Sequence, residues 1–199
     1  MYNFIKETPK HRTNPPIYAT YSQYRDLLCI DFKKRCAYCN DNHNYRIRSF
    51  AIDHFVPCTP KNFTPTIPKN QYDNLIYSCS YCNRAKWDKW PTNDENIEND
   101  GSVGFLKPTN DNYKNLFFRN ANGRIIPIAG NPLAVHLKDE LMLWHPIHSL
   151  MWRIEKLMIL EEKVDLKLKE INNQELSNIH NKITKEITDI FRQIFSTND

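Results

Sequence analysis

The chain has no run of about 18 or more apolar residues, so nothing in it is expected to span a bilayer as a helix. Its opening stretch, MYNFIKETPKHRTNPP, holds no apolar segment of the signal-peptide kind, and a cytoplasmic location is expected. No GxxxxGK motif occurs, which excludes a P-loop nucleotide site on this chain. No internal repeat occurs either. Disorder is excluded by a hydrophobic content of 40% and an aromatic content of 12%. A chain of 199 residues can bury a real core, as one domain with appendages or as two small ones.

Acidic residues are scarce in the first half. Residues 1–91 hold 14 Lys and Arg against 7 Asp and Glu, while residues 92–199 hold 13 against 16. A basic first half suits a polyanionic partner, and an ordinary solvated surface would look much the same.

Six cysteines stand at 29, 36, 39, 58, 79 and 82, and four of them form two Cys-x-x-Cys pairs. In a cytosolic chain this spacing points to metal rather than to disulfides. A two-residue gap lets both thiolates of a turn face one ion, and two such knuckles complete a tetrahedron around zinc. Cys29 and Cys58 have no partner spacing and are expected as buried or free thiols.

Residues 1–20 are polar and Pro-rich, an extended arm. Tyr21 to Arg35 has the apolar spacing of an amphipathic helix, with Tyr21, Tyr24, Leu27, Leu28 and Phe32 on one face. Residues 45–56 predict one or two strands. Residues 57–72, with four prolines, predict a loop. Cys82 to Lys89 predicts a short helix stopped by Pro91. LFFRNANGRIIPI (116–128) predicts a hairpin turning at Asn122-Gly123. Two helices follow, with Ile147 to Ile171 on one apolar face and Leu176 to Ile194 on the other, parted at Asn172-Asn173. They are expected to pair antiparallel. That face packs within the chain or serves self-association or a partner.

Four features occur in order: CAYCN with Cys36 and Cys39; IDHFVP with Asp53 and His54; Asn74 in YDNLIYSC; and CSYCNRAK with Cys79, Cys82, Asn83 and Lys86. His54 suits a general base, because imidazole titrates near working pH. Asp53 offers a hard anionic oxygen to Mg²⁺ or Mn²⁺, and Asn83 offers a carbonyl oxygen. A zinc saturated by four thiolates has no open position and is structural. Asp53 and His54 are neighbours, and strand neighbours point to opposite faces, so both reach one site only if the strand ends there. Lys86, Arg84 and Lys89 extend along the short helix and could contact phosphate, as could Arg46 and Arg48 on the strand. A solvated face explains these charges nearly as well. His145 and His148 flank Pro146 and are expected to be structural or exposed.

Over residues 36–90 this pattern resembles the HNH endonuclease superfamily, in particular the zinc-containing branch that includes a phage Holliday-junction-resolving endonuclease VII. The resemblance implies an α+β fold with a ββα-metal (His-Me finger) core and a structural zinc site, followed here by the β-hairpin and the C-terminal α-helical pair. The implied organisation is an arm (1–20), a nuclease domain with zinc knuckles (21–100), and a hairpin plus helical region (101–199). The implied activity is metal-dependent hydrolysis of DNA, RNA not being set apart, with products carrying 5′ phosphate and 3′ hydroxyl. Asn74 would tie the long loop to the His54 region by backbone hydrogen bonds. The Gly-rich stretch common after Asp-His is replaced by the Pro-rich loop. More loosely, the chain resembles HNH subunits of bacterial antiphage systems, some of which act beside an ATPase; a mobile-element role is also open. A different class of function is a non-catalytic zinc-ribbon module that binds nucleic acid.

Overall fold

A computed structural model of the chain describes residues 1–5, 7–45, 50–171 and 173–196. Arg46 and Arg48, expected to contact phosphate, lie outside the described residues.

The architecture is mixed α and β, with small sheets. Strands β1 (Tyr2–Asn3), β4 (Phe117–Arg119) and β5 (Ile125–Pro127) form a three-stranded antiparallel sheet in the order β1-β4-β5. Strands β2 (Phe50–His54) and β3 (Leu75–Cys79) pair antiparallel, Phe50 opposite Cys79 and His54 opposite Leu75. Helix α2 (Ser80–Lys86) follows β3 directly. The helices α1 (Arg25–Asp31), α3 (Pro132–Glu140), α4 (Pro146–Glu170) and α5 (Gln174–Ser196) complete the fold.

The amphipathic segment from Tyr21 is less regular than its apolar spacing predicts. It opens as a 3-10 turn over Tyr21–Tyr24, and α1 ends at Asp31. Lys33 and Lys34 both adopt positive φ, and the Lys34 N–H returns to the Cys29 carbonyl at 2.7 Å. The basic run therefore reverses the chain into the first knuckle instead of ending the helix. The predicted helix over 82–89 likewise starts and stops earlier. It is ended by a positive φ at Trp87 and not by Pro91.

The hairpin turns as expected. Gly123 has φ 77°, and a Cβ there would stand 2.6 Å from Trp152 Cε3, so glycine serves both the turn and its packing on α4. Asn131 caps α3, its Oδ1 accepting the Ala134 N–H at 2.9 Å, and His145 caps α4 ahead of Pro146. Beyond the break, Asn173 Oδ1 accepts from the Glu175 and Leu176 N–H groups.

Among the described residues, two apolar clusters hold the molecule. The larger runs from Phe4 and Ile5 through Leu28, Leu75 and Ile76 to Leu143, and contains all four knuckle cysteines. Each such side chain contributes roughly 1.5–3 kcal/mol by leaving water. The arm is thus docked at two of its described residues: Phe4 packs edge-on against Phe117, and Arg12 pairs with Asp31. The hairpin shares this cluster as well, through Phe117 and Ile125. The smaller cluster joins Ile147, Leu150, Met151 and Ile154 of α4 to Ile190 and Ile194 of α5, the antiparallel pairing expected. Among the described residues, no helix is long and apolar enough to cross a membrane.

Candidate active site

Two turns bring four thiols together. The first knuckle follows the reversed chain at Lys33-Lys34. Its Cys36 N–H donates to the Asp41 carbonyl, and the Asn40 N–H donates to the Cys36 carbonyl, with Asn40 at φ 60°. The Ala37 N–H reaches the Tyr77 carbonyl at 2.9 Å, so this turn is laced to β3. The second knuckle starts where β3 ends at Cys79, and Cys82 lies in the first turn of α2.

The Sγ atoms of Cys36, Cys39, Cys79 and Cys82 lie within 4.8 Å of one another, and all four residues are buried. Cys39 and Cys79 are separated by 3.7 Å. A tetrahedron with metal–sulfur bonds of about 2.3 Å has edges of about 3.8 Å, so the cluster fits a zinc ion. Burial, and after it the neighbouring thiols, push the Cys39 and Cys82 thiols well up, which is the cost a cation would remove.

Buried polar groups brace this cluster from the far side. Arg119, fully buried on β4, donates to the Cys39 carbonyl at 2.7 Å, to Asp41 Oδ1 at 3.1 Å and to the carbonyls of Gly123 and His148. His148 Nδ1 meets Asp41 Oδ2 at 2.8 Å. His148 is therefore structural and buried, and it ties α4 to the first knuckle.

A cleft of about 250 Å³ opens beside β2 and α2, lined by Ile52, Asp53, His54, Pro57, Cys58, Thr59, Asn83, Trp87 and Asp88. It gathers Asp53, His54 and Asn83 in one place. The strand-neighbour difficulty is met as anticipated: β2 ends at His54, and the cleft wraps round that end.

The His54 ring is held on two sides. Its Nε2 lies 2.8 Å from the Lys69 carbonyl, and its ring sits edge-on to Tyr21 at 4.8 Å. A carbonyl can only accept, so Nε2 carries the proton, and the neutral imidazole keeps its lone pair on Nδ1. Asn74 closes the loop that carries Lys69. Its Oδ1 accepts from the Val56 N–H at 2.8 Å, its Nδ2 donates to the Val56 carbonyl at 3.0 Å, and its own carbonyl accepts from the Phe55 N–H.

Asp53 is buried against two donors. The Tyr38 hydroxyl donates to its Oδ2 at 2.5 Å, and Lys86 Nζ stands 3.4 Å from the same oxygen. Burial pushes the Asp53 pKa up, with Lys86 and Tyr38 pulling it back. Burial also drives the Tyr38 hydroxyl well up, and the Asp53 charge adds to this, so Tyr38 stays a donor. Tyr38 lies between the two cysteines of the first knuckle, so that knuckle orients Asp53 as the second orients Asn83. The sequence reading missed Tyr38, and also the presence of Cys58, Trp87 and Asp88 in the cleft.

Lys86 requires a correction. It does not lie on an open face where phosphate could reach it. It is completely buried, with Nζ 2.9 Å from the His54 carbonyl and 5.4 Å from the centre of the Phe105 ring. Burial pulls its pKa down and Asp53 restores part of the shift. A buried pair that loses one partner leaves a bare charge, at a cost of about 3–5 kcal/mol. Lys86→Met is therefore expected to destabilise the chain by about that much in urea unfolding, and adding Asp53→Asn should recover part of the loss. A surface phosphate contact would leave the unfolding midpoint where it was. Lys89 is engaged too, pairing with Glu140 at 2.9 Å, whereas Arg84 is exposed.

The family model of HNH endonucleases matches residues 36–89. That stretch contains both knuckles and the cleft residues Asp53, His54 and Asn83. No curated protein and no solved structure matches the chain. Over that stretch the chain is similar to a nuclease domain, which suggests an action on nucleic acid.

Proposed function

We propose that this chain is a metal-dependent endonuclease that hydrolyses DNA phosphodiester bonds, built on a ββα-metal core stapled by one zinc on Cys36, Cys39, Cys79 and Cys82. The observation that carries this reading is the cleft: one imidazole with its lone pair on Nδ1 stands with a carboxylate and a carboxamide around a shared space.

His54 takes a proton from water at Nδ1. The water oxygen attacks phosphorus, the bond to the 3′ oxygen breaks, and that oxygen leaves with a proton from solvent, giving a 5′ phosphate and a 3′ hydroxyl. Asp53 and Asn83 would hold the Mg²⁺ or Mn²⁺, Asp53 through its second oxygen, since Tyr38 and Lys86 both contact Oδ2. The bound cation supplies charge stabilisation at the phosphate and at the departing oxygen. Asn74 acts by fixing the loop whose Lys69 carbonyl sets the His54 tautomer. Exposed Arg84 is placed to meet phosphate without reading sequence.

The test is incubation of supercoiled plasmid with Mg²⁺, Mn²⁺ or chelator, with a labelled RNA of the same sequence in parallel. Nicking that requires the cation supports the reading. Asp53→Ala should shift the Mg²⁺ titration to higher concentration by at least about tenfold, the worth of one lost charge-assisted contact. A plasmid that stays intact under every cation, yet is bound, would make the chain a non-catalytic zinc-ribbon module. In this reading the α4–α5 pair is where an ATPase partner or a second copy would dock, and an antiphage or mobile-element role rests on the resemblance alone.

A further inference from the structure

Trp87 stands in a conformation its side chain disfavours. With φ 48° and ψ −124° it lies outside both the right- and left-handed helical regions, in backbone space that favours glycine. The turn itself has a clear cause. The Trp87 N–H donates to the Asn83 carbonyl at 2.9 Å to end α2, and the chain must swing at once to bring Trp90 inward. Trp90 is 5% exposed, edge-on to Phe55 and stacked on Phe105. Glycine would serve that turn with less strain.

The indole of Trp87 gives the core little in return: it is 68% exposed. It lines the cleft beside Asp53, His54 and Asn83, tethered to the same two-turn helix that carries Asn83. A large aromatic face, held at a strained position, left in water and placed at the reaction centre, has its use outside the folded chain. A nucleobase is the flat partner that such a face takes, and stacking on it tolerates any base.

We propose, resting on the nuclease reading above, that Trp87 is a stacking platform for a nucleobase that has left its helical stack next to the scissile phosphate. The substrate class is then single-stranded, mismatched or otherwise opened DNA, and a fully paired duplex is the poorer substrate. Binding there adds affinity for the strand and sets where the phosphate lies relative to His54.

The experiment compares the full native chain with Trp87→Phe, Trp87→Ala and Trp87→Gly. Two readouts are used. In the first, cleavage is followed on one sequence as a single strand, as a duplex with one unpaired nucleotide and as a perfect duplex. Trp87→Ala and Trp87→Gly should raise KM about tenfold or more on the first two substrates, and Trp87→Phe should retain most of the native affinity. Trp87→Gly should at the same time raise Tm by roughly 2–4 °C as strain is released. In the second, tryptophan fluorescence is measured as oligothymidylate is added without divalent cation. The chain has 4 tryptophans, and Trp87→Phe should remove most of the quench.

An unchanged KM in Trp87→Ala, or a quench that persists in Trp87→Phe, would overturn the platform. So would a Trp87→Gly variant that loses both stability and affinity, because the ring would then be structural. The quench does not depend on cleavage. If the native chain cuts nothing but the Trp87 quench is present, the nuclease reading fails and the platform stands.

Discussion

Replacing His54 with alanine is expected to slow plasmid nicking by about 10²–10⁴-fold, the usual contribution of a positioned general base. The argument rests on what holds the ring. The Lys69 carbonyl fixes the proton on Nε2, Tyr21 packs against the ring edge, and β2 ends at this residue. A ring so fixed presents one lone pair in one direction. His54 is half-exposed, and the Lys86 ammonium is bonded to its backbone carbonyl, so the substitution leaves the buried pair in place. Melting temperature and DNA affinity should therefore change little. Small amines or imidazole added to the variant should restore part of the rate, since they supply the missing base from solution. A variant that nicks at the native rate would remove His54 from the chemistry. A variant that has lost its melting transition would show instead that the ring holds the loop.

The second large effect concerns the thiols. Cys79→Ser with Cys82→Ser is expected to abolish bound zinc and the cooperative melting transition together. Structural zinc contributes apparent binding free energies of about 10–16 kcal/mol, comparable with the roughly 5–15 kcal/mol that is the net stability of most domains. The geometry makes the coupling direct, for both knuckles lie within the larger core and each carries a site residue. Tyr38 links the first knuckle to Asp53, and Asn83 follows the last cysteine. Metal analysis of the native chain should find one zinc per molecule that resists mild chelation. Mild chelation that stops nicking while the melting curve holds would separate the catalytic cation from the structural one. A serine double variant that still melts at the native temperature would sink the structural role.

The parts of this molecule that were legible beforehand are those with short-range signatures. The paired cysteines announced a four-thiol cluster, Asn122-Gly123 announced the turn, and the apolar spacing after Pro146 announced the helical pair. The strand ending at His54 followed from asking how adjacent residues could share a site. What escaped depends on distant partners. Arg119 sits on the same inward side of β4 as Phe117, but its ligands are the Cys39 carbonyl and Asp41, nearly 80 residues back. No local pattern marks an arginine as a brace. Nothing local marks Tyr38 between its two cysteines, and only the tertiary structure puts its hydroxyl on Asp53.

Lys86 is different, because a signal was present. It follows Asn83 by three residues, and positions three apart share a helix face. If Asn83 faces the strand that carries Asp53, Lys86 does too. From sequence the charge reads as a phosphate contact or a solvated face for want of a visible partner, yet Asp53 is already a named candidate. The helix ends escaped for a simpler reason: positive φ at Lys33, Lys34 and Trp87 is decided by where the chain must go next, not by the residues themselves.

The reach of Arg119 and His148 into the first knuckle bears on how much chain a working unit needs. The stretch 36–89 holds the groups proposed to react but not its own supports. The guanidinium under Cys39 comes from β4, the imidazole on Asp41 from α4, and the ring over Lys86 from Phe105. Cut out on its own, that stretch would expose two buried ions and an undersized interior to solvent. Engineering that grafts this centre onto another protein would have to carry the hairpin and the opening turns of α4 along with it.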